Sequence, residues 1–416
     1  MTISIRHQVG VPFLTPGELD DVRSRPALQQ PEWVDAELAE QVRSNIAHLP
    51  GLVPWDEVRV LRATLAEVHT GQSIVVQAGD CAEDPGECTP RSIGRKVALL
   101  DMLAGGMRVH TGKPVLRIGR IAGQFAKPRS RSAERCGDVE LPAFRGHLVN
   151  LPAPDRHSRQ PDPLRMLSCY WASSTAMDFL RNEVSASQVW TSHEALVLDY
   201  ELPLLRRTDD DRLFLSSTHW PWIGDRTRQF DGAHVALLAE VHNPVACKVG
   251  PSMTSAELVA LCERLDPGRE PGRLTLIARL GADLVSDRLP GLVSSVRAAG
   301  HPAIWLCDPM HGNTVTTPDG GKTRSLATIT REVRAFQDAV PSGGGVCGGL
   351  HLETTPDAVH ECVTGEPASA HGAENHGGEN YTSFCDPRLN PHQAMLVVDA
   401  WGRTYNQPTG ARRRHP

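Results

Sequence analysis

The chain has 416 residues, of which 40% are hydrophobic and 22% charged, so it carries ample apolar material for a large core. Its 43 basic and 49 acidic residues give a formal net charge of -6, which excludes a polybasic surface for nucleic acid or anionic lipid, and 5% aromatics disfavour a stacking platform for single strands. No run approaches the roughly 18 apolar residues of a membrane span and no signal peptide is visible, while ten scattered cysteines without a CxxC pair fit a reduced, cytoplasmic protein.

Residues 1–70 predict an N-terminal helical extension. PEWVDAELAEQVRSNIAHL and DEVRVLRATLAEVHTG carry apolar residues at helical spacing, and the second closes on Gly71. Strand and helix signals then alternate. The predicted strands are Ser73–Gln77, Val115–Arg120, Ala195–Leu198, Leu213–Ser217, Val245–Val249, Leu274–Arg279, Ala303–Cys307 and Gly349–Glu353. Several are continuous apolar runs, as strands buried on both faces should be. RSIGRKVALLDMLAGGM, SAELVALCERL, LPGLVSSVRAAG and SLATITREVRAFQDAV predict helices between them. Eight strands with intervening helices predict an α/β fold, a (β/α)8 TIM barrel over residues 71–401, with an open doubly wound sheet as the competing arrangement. The stretch 131–190 reads as an insertion and 366–383 as a loop over one barrel face. Residues 402–416, ending in GARRRHP, read as a disordered basic tail.

Polar residues cluster at the ends of the predicted strands. Cys81 follows SIVVQAGD, Arg120 ends VLRIGR, Lys248 ends VACK, Arg279 ends LTLIAR, His311 closes AIWLCDPMH and Glu353 ends GGLHLE. In a barrel such ends converge on one mouth, where barrel enzymes place their active sites. Cys81, His311, Glu353 and Asp386 supply one thiolate, one imidazole and two carboxylates, a mixed set that suits Mn, Fe, Co or Zn better than Mg or Ca. Arg120, Lys127, Arg129, Arg226, Lys248 and Arg279 form a cationic set in a chain of negative net charge, which points to an anionic substrate. Taken singly, each has an ordinary reading. A buried cysteine is a small hydrophobe, a carboxylate at a strand end is an ion-pair partner, and THWPWIGDRTRQ is an aromatic corner of the core. Convergence at one mouth is what gives them weight, as a metal-assisted site for phosphorylated small molecules.

The stretches GDCAE (79–83), GRIAGQFAKPRS (119–130), THWPWIGDRTRQFDGAHVALL (218–238), NPVACKVGP (243–251), RLTLIARLG (273–281), WLCDPMHGNT (305–314), GGLHLETTP (348–356) and CDPRLNP (385–391) carry a resemblance. In this order, over roughly residues 70–400, the chain resembles the type II 3-deoxy-D-arabino-heptulosonate 7-phosphate (DAHP) synthases. It is most similar to their short, phenazine-pathway-type members from secondary metabolism. The resemblance implies a (β/α)8 barrel that condenses phosphoenolpyruvate with D-erythrose 4-phosphate and releases phosphate, the first step of the shikimate pathway, here feeding secondary metabolism. It implies a cytoplasmic homodimer or higher homo-oligomer with no nucleic-acid or membrane partner. Cys81, His311, Glu353 and Asp386 would hold a divalent metal, Mn2+ or Co2+ first, with Zn2+ or Fe2+ as further options. Arg120, Arg226, Lys248 and Arg279 would hold phosphoenolpyruvate, and Lys127 would reach its carboxylate or the reacting carbons. Arg129 and Ser130 would take the erythrose phosphate.

One position departs from the family. A glutamate usually follows Trp-Ile-Gly, and this chain has Asp225 there, one methylene shorter. Asp225 and Lys248 would hold the water that adds to phosphoenolpyruvate. The shorter side chain leaves open the same chemistry on an amino or imino analogue of erythrose 4-phosphate. A catalytically silent paralogue acting as a regulatory partner is the alternative from another class, and the complete ligand set argues against it. Longer family members carry extra elements that bind aromatic amino acids, so a short chain implies weak or absent feedback inhibition by Phe, Tyr and Trp.

Overall fold

The computed structural model describes residues 19–182, 188–317, 321–365 and 380–403. Residues 404–416 of the predicted tail and 366–379 of the predicted loop lie outside the described residues. Eight parallel strands close into a barrel: Ile74–Gly79, Val115–Arg120, Trp190–Glu194, Trp220–Ile223, Val245–Val249, Leu274–Ala278, Ile304–Cys307 and Cys347–Glu353, called strands 1 to 8 below. Each pairs with its successor, and strand 8 closes onto strand 1 with Val75 opposite Gly349 and Gly79 opposite Glu353. The intervening helices include Pro90–Thr111, Leu164–Asn182, Ser255–Leu265 and Leu326–Ser342. The (β/α)8 barrel is therefore the fold, and the open sheet is excluded.

Two predicted strands are corrected. Strand 3 is Trp190–Glu194, and the apolar run at 195–198 leads instead into the short helix Leu198–Glu201. The polar look of WTSHE is a consequence of where its side chains point. Ser192 lies buried in the barrel, where it receives a hydrogen bond from Gln77. Strand 4 is Trp220–Ile223, and Leu213–Leu215 forms a two-stranded hairpin with Leu205–Arg207 outside the barrel. Pro221 interrupts strand 4, and a proline in a run argues against a central strand at the level of sequence. The predicted insertion at 131–190 contains the hairpin Ala133–Cys136 with Val139–Pro142, and also the regular barrel helix Leu164–Asn182. Exposed Trp171 and Leu164 blur the apolar stripe of that helix.

The helix Trp55–His69 presses Leu61, Leu65 and Val68 into a cluster with Val75, Leu116, Trp190, Trp220 and Ile304, residues at the N-terminal ends of their strands. The helix Trp55–His69 thus plugs the barrel floor. Above the plug, Gln77 Nε2 donates to Ser192 Oγ at 2.8 Å, His351 Nδ1 lies 2.7 Å from Gln77 Oε1, and Arg120 Nη1 reaches His351 Nε2 at 2.9 Å. This chain of polar contacts supports the mouth from beneath.

Closure depends on Gly349. Its φ is +142°, and a Cβ there would lie 1.9 Å from the Val75 carbonyl oxygen. Gly349→Ala is therefore expected to cost at least about 2 kcal/mol of stability through combined strain and overpacking. A denaturant titration in which the midpoint does not move would refute this.

Candidate active site at the barrel mouth

Side chains alternate along a strand, so residues two apart share a face. That rule brings Arg120, Glu194, Lys248, Arg279, Asp308 and Glu353 into one layer at the C-terminal rim, above Ile118, Ser192, Ala246, Ile277, Leu306 and His351. A cavity of about 720 Å³ opens over this layer, and its lining includes Arg120, Lys127, Arg129, Ser130, Asp225, Arg226, Lys248, Arg279, His311 and Asp386. Those ten are sequence-predicted residues. The other two, Cys81 and Glu353, lie fully buried beneath the cavity.

The four predicted ligands come together from three strand ends and the C-terminal segment. Donor atoms of Cys81, Glu353 and Asp386 lie within 4.8 Å of one another, and His311 Nε2 is 3.0 Å from Glu353 Oε1. One sulfur, one imidazole and two carboxylates suit a d-block divalent ion. Lys127 shares these donors. Its Nζ lies 2.7 Å from Cys81 Sγ, 2.8 Å from Asp386 Oδ2 and 3.4 Å from Glu353 Oε1. Burial opposes the Lys127 charge, but Asp386, Cys81 and Glu353 outweigh it and hold the ammonium well above its usual range. Burial likewise opposes the charge on Glu353, and His311, Lys127 and Arg324 outweigh it, holding the carboxyl well below the carboxylate range.

Two partners that sequence reading did not single out complete this cluster. Arg324 Nη1 donates to Glu353 Oε2 at 2.7 Å, and Lys322 Nζ lies 2.7 Å from Asp386 Oδ1. Both sit on the hairpin strand Lys322–Arg324 after strand 7. A third is Asp308, which is fully buried. Its Oδ2 receives Lys248 Nζ at 2.6 Å and lies 2.8 Å from His311 Nδ1. A carboxylate on Nδ1 turns Nε2 of the same ring toward Glu353 and the other candidate ligands. Burial depresses the Lys248 pKa to about 8, with Asp308 opposing the shift and Arg120 and Arg279 adding to it.

On the cavity wall, Arg226 Nη2 donates to Ser130 Oγ at 2.6 Å, and Arg129 Nη2 reaches Glu134 Oε2 at 2.5 Å. Arg279 donates to the His311 carbonyl at 2.9 Å and to Asp225 Oδ2 at 2.8 Å, while Arg228 takes Asp225 Oδ1 at 2.8 Å. Asp225 thus serves two arginines, and Lys248 is bonded to Asp308. Glu83 shapes the loop that carries Lys127 by accepting the backbone N–H groups of Ala122, Gly123 and Gln124.

A buried ion network ties together the loops that carry the candidate ligands Cys81 and Asp386. Asp80, beside Cys81, pairs with Arg388 at 2.6 Å and with Lys96 at 2.7 Å, and Arg388, two residues past Asp386, also pairs with Glu361 at 2.9 Å. Removing one member strands its partners in a dry site. Arg388→Met is expected to lower folding stability by about 3–5 kcal/mol. An unchanged unfolding midpoint would show that the network is dispensable.

A protein-family model described as the Class-II DAHP synthetase family matches residues 17–187 and 182–399. The chain is 55% identical to a probable phospho-2-dehydro-3-deoxyheptonate aldolase of Pseudomonas fluorescens, with 90% of this chain and 94% of that protein covered. It is 36% identical to a phospho-2-dehydro-3-deoxyheptonate aldolase of Mycolicibacterium smegmatis, covering 91% and 93% respectively. A solved phospho-2-dehydro-3-deoxyheptonate aldolase from Francisella tularensis superposes with a TM-score of 0.54 at 14% identity, over 92% of this chain and 100% of that one, a likeness of fold.

Proposed function

Since the chain belongs to the Class-II DAHP synthetase family, it is a DAHP synthase acting on phosphoenolpyruvate and erythrose 4-phosphate, and we propose that it works through a metal site of Cys81, His311, Glu353 and Asp386. The observation that carries this reading is the convergence of those donors beside a cavity walled by arginines and lysines. A divalent d-block ion held there, Mn2+, Fe2+, Co2+ or Zn2+ by donor type and Mn2+ or Co2+ first by the family resemblance, would supply a Lewis acid for the aldehyde oxygen.

The chain's own residues account for the rest. Arg120, Arg226, Lys248 and Arg279 neutralise phosphoenolpyruvate, whose phosphate and carboxylate match guanidinium forks. Lys127 reaches its carboxylate, and Ser130 with Arg129 takes the phosphate of the acceptor. The two substrates are then fixed with C3 of phosphoenolpyruvate facing the aldehyde carbon, and proximity supplies much of the acceleration. C3 attacks that carbon, water adds at C2, and collapse of the hemiketal releases phosphate among Arg226, Lys248 and Arg279. The cations hold charge present from the start, so their loss should act mainly on KM. Asp225 orients Arg279 and Arg228 at the edge of this pocket. A cytoplasmic setting is supported by ten unpaired cysteines.

The test is loss of phosphoenolpyruvate absorbance on adding erythrose 4-phosphate, with and without EDTA. Consumption should stop with EDTA and return with Mn2+ or Co2+. Consumption that ignores EDTA would overturn the metal site. Consumption only with an amino or imino analogue would move the acceptor.

A further inference from the structure

Strand 3 ends on Glu194, whose carboxyl lines the cavity and carries no role in the mechanism above. Its Oε1 is buried and has no hydrogen-bond partner among the described residues. The other carboxylates of the wall are engaged: Asp225 with Arg279 and Arg228, Glu134 with Arg129, Asp386 with Lys127 and Lys322. Lys127, Lys248, His311 and Arg226 share the cavity wall with Glu194, and none forms an ion pair with it among the described residues. Gly224 leaves the room for this arrangement, because a Cβ there would lie 2.0 Å from Oε1. A buried acceptor left open is costly, and its persistence in a substrate cavity points to a donor that arrives with the ligand.

The two substrates differ in what they offer. Phosphoenolpyruvate carries anionic groups and no hydroxyl, so a carboxylate can only repel it. Erythrose 4-phosphate carries two hydroxyls between its aldehyde and its phosphate. Glu194 lines the same cavity as Lys127, which touches Cys81, and Arg226, which bonds Ser130, so it shares the wall with the groups at both proposed ends of the acceptor. We infer that Glu194 accepts a hydrogen bond from a hydroxyl of the acceptor chain and thereby selects polyhydroxy aldehyde phosphates over their deoxy analogues. This rests on the DAHP synthase reading and adds to it a residue for acceptor choice. A site built around a hydroxyl rejects the analogue that lacks it because its polar group is then left unpaired.

The experiment compares wild type, Glu194→Gln and Glu194→Ala on erythrose 4-phosphate and on its 2-deoxy and 3-deoxy analogues at saturating phosphoenolpyruvate. Wild type should lose roughly 10- to 100-fold in kcat/KM on one of the two deoxy analogues. Glu194→Ala should turn over erythrose 4-phosphate and that analogue equally, with the isosteric Glu194→Gln in between. Binding of phosphoenolpyruvate, measured by calorimetry, should be unchanged in both variants. Undiminished discrimination in Glu194→Ala overturns the assignment, and so does a fall in phosphoenolpyruvate affinity. A wild type that does not consume erythrose 4-phosphate overturns the activity reading along with it.

Discussion

Cys81→Ser should remove turnover while leaving phosphoenolpyruvate binding nearly intact. The sulfur is fully buried and lies against Lys127 Nζ and the Asp386 backbone N–H. Serine is a shorter, harder donor that does not ionise as a thiol does, so the site keeps its shape and loses its soft ligand. Metal affinity should fall by at least about 100-fold, beyond the range seen for outer-shell losses. A Lewis acid contributes several kcal/mol to such a barrier, so kcat should fall by roughly a thousandfold or more. Arg120, Arg226, Lys248 and Arg279 have no contact with the sulfur among the described hydrogen bonds, and Lys127, which touches it, stays held by Asp386 and Glu353, so the dissociation constant for phosphoenolpyruvate should hold. Metal analysis beside steady-state kinetics checks both halves. Stoichiometric metal with full kcat would remove Cys81 from the ligand set.

The sequence made this part of the site legible because its signal is a charge at the end of an apolar run. VACK and GGLHLE announce Lys248 and Glu353, and the structure holds both at the rim of a buried strand. The same rule missed Glu194 for a definite reason. Strand 3 points Ser192 and Glu194 into a polar barrel interior, so its own sequence, WTSHE, lacks the apolar run that marks a buried strand. Reading the strand at Ala195–Leu198 moved its end past the residue that lines the cavity. Strand 4 was hidden in a similar way by Pro221, a residue that normally argues against central strands. Arg324 and Lys322 were illegible on other grounds. They reach the ligand cluster from a hairpin after strand 7, and no local pattern shows that it folds back over the mouth.

Asp308 was visible within WLCDPMH, yet its two tasks follow only from geometry. One carboxylate bonds both Lys248 and His311 Nδ1, joining the cations proposed for phosphoenolpyruvate to the proposed ligand cluster. Asp308→Asn keeps the shape, removes the charge and turns a donor toward two donors. Breaking a buried pair of this kind costs about 3–5 kcal/mol of folding stability, and displacement of Lys248 and His311 should lower kcat/KM for phosphoenolpyruvate by roughly a hundredfold at neutral pH, as about 1 Å of misplacement does. Metal affinity should fall by roughly 10- to 100-fold as His311 loses its orienting partner.

The pH dependence separates this from simple loss of structure. Burial brings the Lys248 pKa from 10.5 down to about 8, and Asp308 is the group that holds it up. An amine loses its charge as pH rises, so a depressed pKa brings that loss earlier. In the wild type, KM for phosphoenolpyruvate should be steady below about pH 8 and climb above it, as the Lys248 ammonium gives up its proton. Without Asp308 the pKa falls further, and the climb should begin at a lower pH. Asp308→Glu, which keeps the charge, should return the limb toward its wild-type position even if kcat stays low through misplacement. A limb that stays at the same pH in Asp308→Asn would show that Lys248 does not carry the charge on which phosphoenolpyruvate binding depends.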